Sequence, residues 1–155
     1  MAFWSNRKWK ENLKNLSIID PADSSNIEEA GYALHVGSQI YTNSLATSIP
    51  KKLGVGGDDY ATISPGEFAY ILTKEIITIP KNCIGFISVR AKIKFKGLVN
   101  VSGFQVNPGW HGRLLFAVFN AGPNYIKIKR YYPLGTSKII FNFANYIWIK
   151  NKNLR

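Results

Sequence analysis

From Gly31 onward the chain is a succession of short apolar and β-branched runs: "YALHV", "QIYTN", "EFAYILT", "EIITI", "CIGFISV", "RLLFAVF", "YIKIKR", "KIIFNF" and "YIWIK". Turn-forming stretches separate them: "KKLGVGGDD", "SPG", "IPKN", "NPGW", "NAGPN" and "YYPLG". Short runs punctuated by Gly and Pro predict strands joined by tight turns, hence an all-β, mainly antiparallel sandwich or barrel. There is no alternation with helices that would build a parallel sheet. One helix leads the chain, because Trp9, Leu13 and Leu16 recur at helical spacing while Lys8, Lys10 and Lys14 fall elsewhere on the wheel. "DPADSSN" ends that pattern with turn formers. The expected organisation is a single domain over 1–155: a helix over 1–16, a barrel over 17–145 and a basic tail over 146–155. "YIKIKR" alternates strictly, so one of its faces is wet. "LLFAVF" is continuous, which predicts burial on both faces beneath another sheet or a neighbouring subunit.

A chain of 155 residues with 46% hydrophobic and 19% charged residues is long enough to bury a core of its own. Its apolar runs fall short of the roughly 20 residues of a membrane span. The start, "MAFWSNRKWKENL", lacks the apolar stretch of a secretory signal, so the expectation is a cytoplasmic protein with no membrane partner. Cys83 is the single cysteine, and His35 and His111 are the two histidines, in no metal-ligand spacing. No metal site is expected. "IPKNCIGF" looks like the buried start of a strand, which disfavours a Cys-His nucleophilic pair. The net charge of +11 implies attraction to polyanions or a solvated basic surface. Interleaved aromatics near the N-terminus (Phe3, Trp4, Trp9) could stack on nucleic-acid bases, but a helix packing on the barrel is the favoured reading.

The most informative stretch is "NVSGFQVNPGWHGRLLFAVFNAGP", residues 100–123: a strand, a Pro-Gly turn and a second strand ended by Gly122-Pro123. With "AGYALHVG" (30–37), "SPGEFAYILTKEIITIP" (64–80), "ISVRAKIKFKGLVN" (87–100) and "RYYPLGTSKIIF" (130–141), it resembles, in order and spacing, the dUTPase and dCTP deaminase superfamily. The deaminase branch is the closer likeness. That resemblance implies a jelly-roll-like barrel, a homotrimer, and nucleotide sites formed between subunits. It implies that backbone groups around Gln105, Val106 and Asn107 hydrogen-bond a pyrimidine edge, with Trp110 under the deoxyribose; alternatively Trp110 caps the barrel end. No cofactor is required, and Mg²⁺ would enter only on the phosphates of a pyrimidine deoxynucleoside triphosphate.

The departures from the family pattern all fall on chemistry. The acid of the first motif is Ala33, the hairpin acid is Asn107, the Ser after the motif Arg is Ala91, and the general acid/base Glu aligns with Ala117. A second Arg is replaced by Phe95, while Arg90 survives. Glu67 and Glu75 look like ordinary strand-edge charges. In "RAKIKFKG" (90–97) alternation alone predicts a basic strand face, whereas the resemblance implies a short helical turn with Arg90 and Lys92 facing phosphates, and Lys94 and Lys96 beyond. Three functions stay open: a catalytically inactive, nucleotide-binding trimer acting as sensor, regulator or scaffold; an active dCTP deaminase or dUTP diphosphatase; and a trimerising interaction module with basic faces for nucleic acid or acidic partners.

Overall fold

A computed structural model describes residues 3–15, 17–29, 31–42, 51–52, 60–130 and 139–145. Helix α1 (Asn6–Asn15) buries Trp9 and Leu13 and leaves Lys10 in solvent. Trp4 is buried beside it, edge-on to Trp9 at 5.4 Å, and Trp9 lies 5.9 Å from Tyr32. The N-terminal tryptophans are therefore core residues and not a stacking platform. Leu16 and the side chain of Lys14 lie outside the described residues.

The strands follow as β1 (Ile19–Asp20), β2 (Ile27–Glu28), β3 (Gly31–Leu34), β4 (Val36–Thr42), β5 (Lys51–Lys52), β6 (Tyr60–Ile63), β7 (Phe68–Thr78) and β8 (Cys83–Val89). A helical turn, α2 (Ala91–Lys94), leads to β9 (Leu98–Asn100), β10 (Gln105–Val106), β11 (His111–Asn120), β12 (Ile126–Lys129) and β13 (Ile139–Asn145). Among the described residues these form a sheet ordered β5-β4-β7-β11-β9 with β1 also on β7, a second sheet ordered β10-β8-β13-β3-β2, and the pair β12-β6. Every described pairing is antiparallel. The all-β architecture read from the turn spacing is the one observed. The segments 131–138 and 146–155, which include "YYPLG" and the basic tail, lie outside the described residues.

Strand β12 follows its alternation, with Ile126 and Ile128 buried and Lys127 and Lys129 exposed. "LLFAVF" does not follow its own. Leu114, Phe116 and Val118 are buried, but Leu115 is 57% exposed and Ala117 and Phe119 are half-buried. The strand lies between β7 and β9, yet only one face of that sheet meets the core. Its other face stacks sideways on β7: Leu115 lies opposite Leu72, Ala117 opposite Tyr70 and Phe119 opposite Phe68, with the last two rings 4.8 Å apart. Among the described residues, no layer covers this apolar face.

Two glycines lock the far end of β11 to α2. Gly97 (φ 98°) follows the helical turn and passes against Gly122; a Cβ on Gly97 would run into the Gly122 backbone, and one on Gly122 into the Lys96 carbonyl. Ala121 N donates to Gly97 O at 2.9 Å. Fully buried Asn120 completes the joint, donating from Nδ2 to Ile63 O (3.0 Å) and Asn124 O (2.9 Å) and accepting from Gly122 N (3.0 Å). Gly97→Ala adds left-handed strain to an overpacked contact and is expected to cost about 2–4 kcal/mol in urea denaturation. A loss below about 0.5 kcal/mol, within the range of an ordinary surface substitution, would show that the crossing is not tight.

Candidate functional site

The hairpin between β10 and β11 is rigid for identifiable reasons. Asn107-Pro108-Gly109-Trp110 is a turn in which Pro108 presets φ and Gly109 supplies φ 79°, and Trp110 N donates to Asn107 O at 3.2 Å. Its tip is stitched to the β7–β8 connection: Ile79 N donates to Trp110 O (2.8 Å) and Gly109 N to Ile79 O (3.0 Å). Strand β10 pairs with β8 on one side and lies at the edge of its sheet. Beside this edge opens a groove of about 270 Å³, walled by Gln105, Val106, Asn107, Trp110, Arg113 and Leu115 among others. Asn107 is exposed and its Oδ1 accepts from Gln105 Nε2 at 3.3 Å; Trp110 is 44% exposed and its Nε1 donates to Gly112 O at 3.3 Å. His111 Nδ1 lies 2.9 Å from Thr78 Oγ1. Arg113 Nη1 donates to the Thr73 carbonyl at 3.1 Å and also to that of Lys74. Among the described residues, no Asp or Glu lines the groove.

The basic stretch is helical, as the resemblance implies and against its alternation. Ile93 N and Lys94 N both donate to Arg90 O, and Phe95 N to Ala91 O. The chain must reverse from β8 into β9 of the other sheet, and a single turn ended by Gly97 does so where an extended strand could not. Ile93 is buried, while Lys92, Lys94, Phe95 and Lys96 are exposed. Arg90 points elsewhere: its guanidinium forms an ion pair with Glu28 on β2. Lys94 donates from Nζ to Ser88 Oγ at 2.8 Å and lines a second groove of about 380 Å³, which shares Ile87 with the lining of the hairpin groove.

Within one chain the expected site residues do not converge. Val106 pairs with Gly85, and Arg90 follows five residues later at the other end of β8, roughly 16 Å along an extended strand. Ala33 is fully buried on β3, Ala91 is exposed at the start of α2, and Ala117 is half-buried opposite Tyr70 in the other sheet. Gln105, Val106, Asn107 and Trp110 do sit together; Arg90 and Lys92 form a separate group.

The acids read as strand-edge charges are buried. Glu75 accepts from His35 N (3.0 Å) through Oε2 and lies 2.6 Å from His35 Nδ1 through Oε1, and its side chain is 2% exposed. Glu67 is 6% exposed and accepts from Ser64 N at 2.6 Å, closing the "SPGE" turn. Both hold the fold: neither lines a described groove. The signal was present, because Thr73 and Glu75 share the inward parity of Ile71 and Ile77 on β7. Cys83 is 2% exposed at the first position of β8, and burial raises its thiol pKa above the usual value. The described residues contain no group of three or more potential metal ligands, and no described helix is long and apolar enough to cross a membrane.

Comparison with known proteins places these elements. The profile of a family described as dCTP deaminase-like matches residues 3–135. The chain is 32% identical over 121 residues to the dCTP deaminase of Thermococcus kodakarensis, covering 78% of this chain and 72% of that protein. It is 30% identical over 121 residues to the dCTP deaminase of Pyrococcus abyssi, covering 78% and 73%. The fold is similar to the crystal structure of 2′-deoxycytidine 5′-triphosphate deaminase from Agrobacterium tumefaciens, with TM-score 0.69, 12% identity and 91% of this chain covered. The chain spans about half of that solved structure, 48% of its length. A Staphylococcus bacteriophage 80alpha dUTPase mutant with dUpNHpp aligns with TM-score 0.53 at 15% identity, covering 88% of this chain and 82% of that one.

Burial and the raised pKa together make Cys83 inert in the folded protein. A thiol reagent at pH 7.5 is expected to label it only at the rate of unfolding, and at full speed in denaturant. Rapid labelling of the native protein would contradict its place in the core.

Proposed function

Because the chain belongs to the dCTP deaminase-like family, we propose that it is a member that holds a pyrimidine deoxynucleoside triphosphate between the subunits of a homotrimer without deaminating it, as a sensor, regulator or scaffold. The observation that carries this reading is the hairpin groove, which has a preordered backbone edge and an aromatic floor while no carboxylate is among its described lining residues. A turn fixed by Pro108, Gly109 and Ile79 needs little reorganisation to hydrogen-bond a base. Trp110 offers its ring to the sugar, and the Asn107 amide can donate to or accept from a sugar hydroxyl.

Hydrolysis at C4 needs a group that takes a proton from water and returns one to the leaving amine. The methyl groups of Ala91 and Ala117 do neither, and an amide at Asn107 is no base. Losing such a group typically costs on the order of 10²–10⁴ in rate.

Two observations support the trimer. The hairpin and the basic turn lie at opposite ends of β8, so a second copy would be needed to bring a turn such as Arg90–Lys92 to a hairpin. The open face of the six-stranded sheet presents Phe68, Tyr70, Val99 and Leu115, an apolar surface suited to burial between subunits. In that assembly exposed Lys92 is the more available cation for phosphates. Arg90 would share its guanidinium between a phosphate and Glu28, which its five donors permit.

Titration calorimetry with dCTP, dUTP and dTTP in the presence of Mg²⁺ tests the reading on protein sedimenting at three times the 17.4 kDa of one chain. Heat is expected with at least one of them, and Trp110→Ala should weaken that binding by about tenfold, or 1.4 kcal/mol. Absence of both heat and thermal shift at millimolar nucleotide would overturn it.

A further inference from the structure

The hairpin groove carries a positive charge. Among the described residues of its wall Arg113 alone is ionised; the others are amide, hydroxyl, indole and aliphatic side chains. An irregularity in the sheet sets its place. Arg113 lies opposite Ile76 and Leu115 opposite Leu72, so β7 takes a longer path there than β11. The Thr73 carbonyl on that path accepts from Arg113 Nη1 at 3.1 Å, and the Lys74 carbonyl accepts from the same nitrogen. Thr73 Oγ1 donates to Glu75 O at 2.8 Å and accepts from Leu114 N at 2.9 Å, which fixes the bulge from its buried side. Glu75, the acid next in sequence to these carbonyls, is turned to His35. The guanidinium is thus anchored by neutral carbonyls. Both of its bonds to described residues leave from Nη1, so Nε and Nη2 are left to meet a ligand.

A guanidinium donates hydrogen bonds and never accepts them. Around it the wall is apolar, formed by Ile87, Val106, Leu114 and Leu115, which suits a flat base better than a hydrated triphosphate. The backbone edge of the hairpin offers both donors and acceptors and leaves the choice of base open; Arg113 does not. Uracil and thymine carry a carbonyl acceptor at position 4, and cytosine carries an amino donor there. We infer that Arg113 reads this position and makes the groove selective for a 4-oxo pyrimidine, uracil or thymine, over cytosine. Cytosine would set donor against donor and leave both groups without an acceptor once the base has displaced water. The carbonyl at position 2 is common to all three bases, so a guanidinium aimed there would not discriminate. The inference rests on the nucleotide reading of the groove and names which base it takes.

Titration calorimetry with dUTP and dCTP on the parent protein, Arg113→Gln and Arg113→Lys tests this. The parent is expected to bind dUTP more than about tenfold tighter than dCTP, the order of one charge-assisted hydrogen bond. Arg113→Gln, whose amide can turn either a donor or an acceptor to the base, is expected to lose dUTP affinity while keeping dCTP affinity, bringing the two within about threefold. Arg113→Lys still only donates and is expected to keep the preference for dUTP. The parent ratio needs no variant, and the lysine retains a donor for the β7 carbonyls, so the test does not hang on how well Arg113→Gln folds. Equal affinities in the parent, or a preference for dCTP, overturn the inference and leave nucleotide binding standing. So does an Arg113→Gln that weakens both nucleotides alike, which would put the guanidinium on a phosphate, or that changes neither, which would confine it to the β7 carbonyls. Absence of binding by every nucleotide overturns the nucleotide reading and this inference together.

Discussion

The antiparallel pairing of β7 with β11 is the constraint on which the rest of the molecule depends. It runs from His111 opposite Thr78 to Phe119 opposite Phe68, interrupted by a bulge between Arg113 and Leu115. The bulge is fixed by side chains: Leu114 N donates to the buried Thr73 hydroxyl at 2.9 Å, and Arg113 crosses to the β7 carbonyls. One end of the pairing sets where the hairpin tip meets Ile79, and the other sets where Asn120 and Gly122 clamp α2. A slip of one residue would turn the core side chains of β11 outward and dismantle both ends together.

Much of this was legible because short-range rules govern it. Gly and Pro at "SPG", "NPGW" and "NAGP" fix turns wherever they occur, and the helical stripe of Trp9 and Leu13 needs no tertiary context. The helical turn at 91–94 was legible only through the family likeness, because alternating Lys and apolar residues satisfy a strand and one turn of helix alike. What stayed hidden depends on partners far apart in sequence. Glu75 finds His35 40 residues away, and Arg90 finds Glu28 on β2, which lies beyond β13 and β3 in the sheet, by registers that local patterns do not encode. "LLFAVF" misled for a related reason: an apolar run states that both faces are apolar, not that both are covered within the same chain.

The positions that depart from the family pattern are ones the fold can hold without a carboxylate. Ala33, Ala91, Asn107 and Ala117 lie on different elements, and the bond by which Asn107 closes the hairpin turn uses its backbone carbonyl and not its side chain. At Ala33, fully buried on β3, a carboxylate would require a buried partner to offset its desolvation, and a methyl group removes that demand. The buried acids Glu67 and Glu75 each have a backbone N–H donor to accept from. The buried carboxylates therefore follow structural need, and the four positions where the family resemblance leads one to expect polar chemistry are apolar or amide.

Whether the hairpin groove holds a nucleotide without transferring a proton to it is tested most directly by turnover. Purified protein is incubated with Mg²⁺ and dCTP or dUTP for hours, and the nucleotides are separated by chromatography. The account predicts that dCTP and dUTP are recovered at the level of a protein-free control. Formation of dUTP from dCTP, or of dUMP from dUTP, that disappears on Arg90→Ala would contradict it.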